Sequence, residues 1–186
     1  ALEGHGIDHL NINVLDADAA GTLGAGFANE LNSLLGTPGL GSLNGVGGAN
    51  LDVTLDMGGN ADVAVGINQA QASGLINAGL QFADDDTVTL NATTTAGTHL
   101  STSLKDLQKL GVDAVAVAGA AAGQDLSVEL GAGALSATGL PTFVSGLDVT
   151  LNLDSTQVGE LTVPGMAAAL EGHGIDHLNI NVLDAD

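Results

Sequence analysis

Seven aspartates in three short turns, two of them glycine-bearing, carry the clearest chemical potential in this sequence. They are Asp16 and Asp18 in "LDADAAG", Asp56 and Asp62 in "DMGGNAD", and Asp84, Asp85 and Asp86 in "FADDDTV". Carboxylate oxygens on flexible loops are the ligands that Ca²⁺ prefers, so these turns are the candidate calcium sites. They match neither an EF-hand loop nor the Gly-Gly-x-Gly-x-Asp nonapeptide. Charge for solubility is therefore the competing role for the same residues. Calcium is the one cofactor the sequence points to.

A second cluster, "HGIDH", holds His5, Asp8 and His9. Two histidines four apart share a face on a helix, but Gly4 and Gly6 oppose a helix there. A solvated turn leading into a strand is the expected outcome, ahead of a metal site. The sequence contains no nucleophile elbow, phosphate loop or zinc motif. Glycine is so common, at 28 residues, that short Gly-x-Gly fragments carry no information. With no positioned catalytic constellation to be found, the expected protein is not an enzyme.

Composition narrows the partners. Of 186 residues, 22 are Asp or Glu and only Lys105 and Lys109 are basic, giving a formal net charge of −20. A chain with so little positive charge has nothing to neutralise phosphates, which excludes nucleic acid and anionic membrane as expected partners. No apolar run is long enough to span a bilayer. Cysteine is absent, so disulfides and thiol chemistry are excluded. Hydrophobic residues make up 45%, enough for a packed core.

Residues 1–18, "ALEGHGIDHLNINVLDAD", return unchanged at 169–186. Identity over that length points to a strict tandem array. Residues 1–168 are then read as one full repeat and 169–186 as the start of the next identical one. The partners expected first are neighbouring repeats of the same protein, and then lateral copies in a fibre.

The elements that would position the acidic turns alternate. Period-two patterns predict strands at 8–14, 51–57, 86–92, 113–118 and 147–153, each with one apolar face and the other face mostly Asp, Thr or Asn. Further strands are expected at 61–67 and 125–130. Helical patterns occupy 27–36, 67–80, 99–111 and 162–174, with a weaker one at 136–146. Ser103 is the expected cap of the third, Gly111 its stop, and both lysines are placed near its C-terminal end. Thr162 and Gly172 are expected to bound the fourth.

Strand–helix–strand alternation implies right-handed crossovers and a mainly parallel sheet. Strands wet on one face do not suit a doubly wound domain with both faces covered. The expected fold is therefore α/β, repetitive strand–helix units forming a β/α solenoid. Discrete α/β domains, as beads on a string, are the alternative. Matching first apolar positions puts His9, Asp52, Thr87, Ala114 and Asp148 in one row of the wet face. Asn13, Asp56, Asn91, Ala118 and Asn152 form another row, able to hydrogen-bond along the stack.

The phrases "AGLQFADDDTVTLNA" and "THLSTSLKDLQKLGVDAVAV", with the near-perfect repetition, resemble giant repetitive proteins of bacterial surfaces, of the secreted adhesin and RTX-associated kind. The resemblance implies secretion, attachment at the cell surface, calcium-dependent stiffening, and a role in biofilm or cell–cell contact. The expected function is a structural, extracellular stalk or self-assembling filament. A Ca²⁺-dependent ligand-binding adhesin module is the alternative. Three Phe and no Trp or Tyr leave little aromatic surface for stacking on sugars, which favours the stalk.

Overall fold

A computed structural model describes residues 9–14, 33, 36, 52–57, 63–93, 98–144 and 146–182. The chain divides into two compact units, 1–88 and 89–186.

In the first unit, β1 (His9–Val14), β2 (Asp52–Met57) and β4 (Leu80–Phe82) form a parallel sheet in the order β1-β2-β4. Its register pairs His9 with Asp52 and Leu55 with Phe82. The pairing of 8–14 with 51–57 is the expected one, residue for residue. Between β2 and β4 lie β3 (Ala64–Asn68) and α1 (Gln69–Ala78). Asn68 caps α1 by accepting the Gln71 backbone N–H at 2.9 Å, while the Gln71 side chain accepts that of Asn68 at 3.0 Å. Two orphan donors are satisfied at once. Gly79 ends the helix with φ 69°, a left-handed position that a Cβ would oppose. Leu55, Ile67, Leu75, Leu80 and Phe82 form the buried side of these elements, each at most 3% exposed.

The strand β5 (Thr87–Thr93) crosses the boundary between the units. In the second unit its residues 89–93 pair in parallel with β7 (Ala114–Ala118), which pairs in parallel with β9 (Thr142–Phe143). A second parallel sheet runs β11-β10-β8-β6, built from β6 (Thr98–His99), β8 (Gln124–Glu129), β10 (Leu147–Asp154) and β11 (His177–Asn181). Thr89 faces Ala114, Ala114 faces Thr142, Thr98 faces Leu126, Asp125 faces Asp148 and Thr150 faces His177. Partners therefore lie 23 to 28 residues apart along the chain in every pair of this unit. The fold is α/β with parallel sheets.

Two departures from expectation have one cause. The strand at 113–118 was expected beside 147–153, but β8 takes that place and β7 pairs with β9 instead. The predicted rows are correspondingly displaced: Ala114 lies opposite Thr89 rather than Thr87, and His177 opposite Thr150 rather than Asp148. The further strand expected at 125–130 is a full member of the sheet β11-β10-β8-β6, and the one expected at 61–67 forms β3, in the sheet order β3-β5-β7-β9. The pattern at 136–146, read as a weak helix, forms β9, with Leu140 and Phe143 each 3% exposed. Buried residues three apart suggest a helical period, but Pro141 buried, Thr142 exposed, Phe143 buried and Val144 exposed alternate as a strand does, and pairing with β7 holds the extended form.

Helix α2 (Leu104–Leu110) follows its sequence closely. Ser103 accepts the Asp106 backbone N–H at 3.2 Å, Gly111 closes the helix at φ 81°, and Leu100, Leu104, Leu107 and Leu110 are buried. Lys105, however, lies in the first turn, and only Lys109 is in the last. The final helix, α3 (Met166–Gly172), starts later than its sequence suggests. Residues Val158–Thr162 form a 3₁₀ turn, and the Thr162 hydroxyl donates to the Gly159 carbonyl within it. Gly165, with φ 87°, then occupies the cap position. The pattern at 27–36 lies outside the described residues, Ser33 and Gly36 apart.

Candidate functional site

Of the seven candidate ligands, Asp56, Asp85 and Asp86 come together. One carboxylate oxygen from each lies within 4.8 Å of the other two. Asp56 sits near the end of β2, one residue beyond Leu55, whose carbonyl accepts the Ala83 N–H at 2.9 Å. That bond fixes the start of the turn after β4. The turn closes with the Asp86 N–H donating to the Ala83 carbonyl at 3.1 Å, which carries Asp85 and Asp86 back toward Asp56. Asp56 and Asp86 are 7% and 5% exposed, and Asp85 is exposed. Asp84, the first of the triplet, is not part of the cluster. Asp16, Asp18 and Asp62 lie outside the described residues. The grouped oxygens are hard ligands drawn from two separate segments, the donor set that suits Ca²⁺ better than a soft metal.

The histidine cluster is dispersed where the structure describes it. His5 and Asp8 lie outside the described residues, but their counterparts His173 and Asp176 do not. His173 Nδ1 is 3.1 Å from the Thr142 hydroxyl, and Asp176 accepts the Val149 backbone N–H at 3.0 Å. His177 Nε2 lies 3.0 Å from Asp148 Oδ1. Each of the three bonds to a different partner on β9 or β10. Their role is to fasten the start of β11 to its neighbours.

The sequence also pointed toward a polar row, and the structure contains one with altered membership. Asn152 donates to Glu129 Oε1 at 3.1 Å, and Asn179 donates to Asn152 Oδ1 at 2.9 Å. Two residues earlier on β8, His99 Nδ1 lies 3.0 Å from the Ser127 hydroxyl. In the first unit, Gln81 Nε2 donates to Thr54 Oγ1 at 3.4 Å across β4 and β2. These residues stand opposite one another in the parallel register, so side-chain bonds repeat the direction of the backbone ladder.

One ion pair escapes any reading by motif. Lys105 Nζ contacts both Glu160 oxygens, at 2.9 and 2.7 Å, with the lysine side chain 3% and the glutamate 34% exposed. Fifty-five residues separate them, and nothing in local spacing announces the contact. Two open grooves are described. One, of about 290 Å³, is lined by Val117, Ala120, Ala121, Ala122, Val144, Gly146 and Leu147. The other, of about 300 Å³, lies between α3 and β11. Among the described residues no helix is long and apolar enough to cross a membrane.

No protein-family model matches the chain, and neither does any curated protein or any solved structure.

Proposed function

We propose that the chain is a structural, non-enzymatic repeat of a large extracellular bacterial surface protein, acting as a stalk or self-assembling filament in adhesion or in a cell-surface matrix. The observation that carries this reading is the pairing of β11. The second copy of the opening sequence joins β10 in parallel, as the first copy joins β2. The same segment is thus accommodated at both sheets, which supports a β/α solenoid over beads joined by a linker. The parallel offsets of 23 to 28 residues in the second unit support it too, because successive turns of a solenoid pair in parallel at similar offsets. The acidic wet face keeps such a surface soluble and discourages edge-to-edge aggregation.

The test is length against copy number. Chains of one, two and four 168-residue units are compared by small-angle X-ray scattering. A stalk gains the same increment in maximum dimension with every added unit. A chain whose dimension grows as a flexible string of beads rejects the solenoid, and one that collapses to a compact particle rejects the stalk.

The carboxylate cluster favours one addition. Calcium held by Asp56, Asp85 and Asp86 would tie β2 to the turn after β4 and stiffen that part of the stalk. The same geometry would serve a Ca²⁺-dependent adhesin module, and the scattering series separates the two, since an adhesin module has no need of constant increments.

A further inference from the structure

The strand β11 presents apolar side chains that its identical counterpart partly covers. Leu178 is 50%, Ile180 44% and Val182 75% exposed. In the first copy the same residue types, Leu10 and Ile12, are half-buried rather than exposed, and there the strand has β2 beside it. In the sheet β11-β10-β8-β6, β11 is the outermost strand, with β10 on one edge only. Exposed apolar strand edges promote association, and natural sheets cover them.

We infer that in the tandem array β11 is at once the β1 of the following repeat, so that residues 52–57 of that repeat pair in parallel with its free edge and one strand is the shared member of two repeats' sheets. The inference rests on the tandem-repeat reading proposed above and specifies its junction. The register follows from β1 and β2: His177 opposite Asp52 of the further copy, Leu178 opposite Val53, Asn179 opposite Thr54 and Ile180 opposite Leu55.

Side-chain hydrogen bonds support this register independently of the backbone. The Asn179 amide donates toward Asn152, which donates toward Glu129. The Asn179 carbonyl oxygen is then the acceptor available to the other side. Thr54 Oγ1 accepts from Gln81, which leaves its hydroxyl proton to donate. Placed opposite Asn179, that hydroxyl completes a chain of donors pointing one way, from Gln81 and Thr54 of the further copy through Asn179 and Asn152 to Glu129. A one-residue slip would turn Thr54 to the opposite face and break it. The groove between α3 and β11, lined in part by Ala167, Leu170, Ile175 and Leu178, offers adjoining apolar surface to the arriving copy.

The chain has no cysteine, so introduced pairs report on one contact each. In a two-copy chain, residues 1–168 followed by 1–186, Thr150→Cys and His177→Cys span β10 and β11. Asn179→Cys and Thr54→Cys of the second copy span the inferred junction. Directly opposed residues on parallel neighbours lie about 4.8 Å apart, within disulfide reach. The expected result is both disulfides in the same molecule, read by intact mass and peptide mapping. Mutually exclusive disulfides would show that the strand serves one unit at a time, which overturns the inference. Disulfides linking β11 of two separate chains would also overturn it. Failure of the stalk reading looks different: both disulfides would form while the scattering increments fail to stay constant.

Discussion

Asn179 donates its side-chain amide to Asn152 at 2.9 Å, and Asn152 in turn donates to Glu129 at 3.1 Å. Asparagine suits the middle position because it both donates and accepts, whereas an ionised carboxylate only accepts. Asn152→Asp removes the donor to Glu129 and sets two carboxylates side by side. Like charges directly opposed on neighbouring strands destabilise a sheet, here by about 1 kcal/mol. The cost is expected to shrink in high salt, because Glu129 is exposed and its field is screened. Urea denaturation at low and high ionic strength measures both parts. A loss that ignores salt would place the effect in the hydrogen bond alone.

The Lys105–Glu160 pair behaves differently, because the ammonium is buried. Glu160→Gln leaves that charge without its counter-ion, at an expected cost of about 2–3 kcal/mol. Lys105→Met removes the charge and keeps the apolar stem, and is expected to cost less, since Glu160 retains contact with water. Chemical denaturation of both variants orders them. Equal losses would mean that the pair's mutual attraction, rather than burial of the cation, dominates.

Where the sequence spoke through local patterns, the structure follows it. Ser103, Gly111 and the leucine stripe of α2 were legible because capping, left-handed φ and helical period act within a few residues. The pairing of β1 with β2 was legible because both strands carry the same alternation. The partner of β10 was not. Val115 and Leu126 both head plausible apolar strands, and no local signal says which one lies beside Val149; loop lengths and packing decide it. The same limit applies to the site. The triplet Asp84–Asp86 was visible as acidic, but which members meet Asp56 depends on the turn closed by Ala83 and Asp86.

Gly131 has φ 86° and sits against the cap of α2. A Cβ there would overlap the Ser103 side chain, which is already committed to Asp106. Gly131→Ala is therefore expected to cost about 2–4 kcal/mol, from left-handed strain and overpacking together. Gly133→Ala is the control, with φ 102° and open space around its Cβ position, so it shows the backbone strain alone. Thermal unfolding of the two variants measures the difference. Equal shifts would remove the overlap with Ser103 from the explanation.

Asp154 offers a pH test. The Thr156 hydroxyl, first of all, holds its carboxyl below the usual carboxylate range; desolvation opposes it, and the backbone N–H groups of Thr156 and Gln157 and then the charge of Lys105 add to the lowering. A carboxyl whose folded pKa is depressed stabilises the fold above its unfolded pKa. That stabilisation is lost as pH falls through the folded pKa. Asp154→Asn abolishes the titration while keeping an oxygen that can accept. The variant is therefore expected to be less stable than the parent at neutral pH, with the gap narrowing as pH drops below about 4. Urea midpoints at pH 7 and pH 3 read the gap, and a gap that widens on acidification contradicts the assignment.

The last expectation concerns the cluster of Asp56, Asp85 and Asp86. Three carboxylate oxygens within 4.8 Å of one another repel when all are charged, and a divalent cation between them reverses the sign of that interaction. Binding restricted to the folded chain stabilises it by about 1.4 kcal/mol when Ca²⁺ is ten times its Kd. Millimolar CaCl₂ is thus expected to raise Tm by several degrees, more than MgCl₂ at equal concentration, because the smaller ion resists giving up its water. Asp56→Asn is expected to remove the Ca²⁺-specific part. Asp84→Asn should keep it, since Asp84 belongs to the same acidic run but not to the cluster. If both variants respond to Ca²⁺ like the parent, and all three respond to Mg²⁺ equally, the effect is charge screening spread over the surface. The acidic turns would then serve solubility alone.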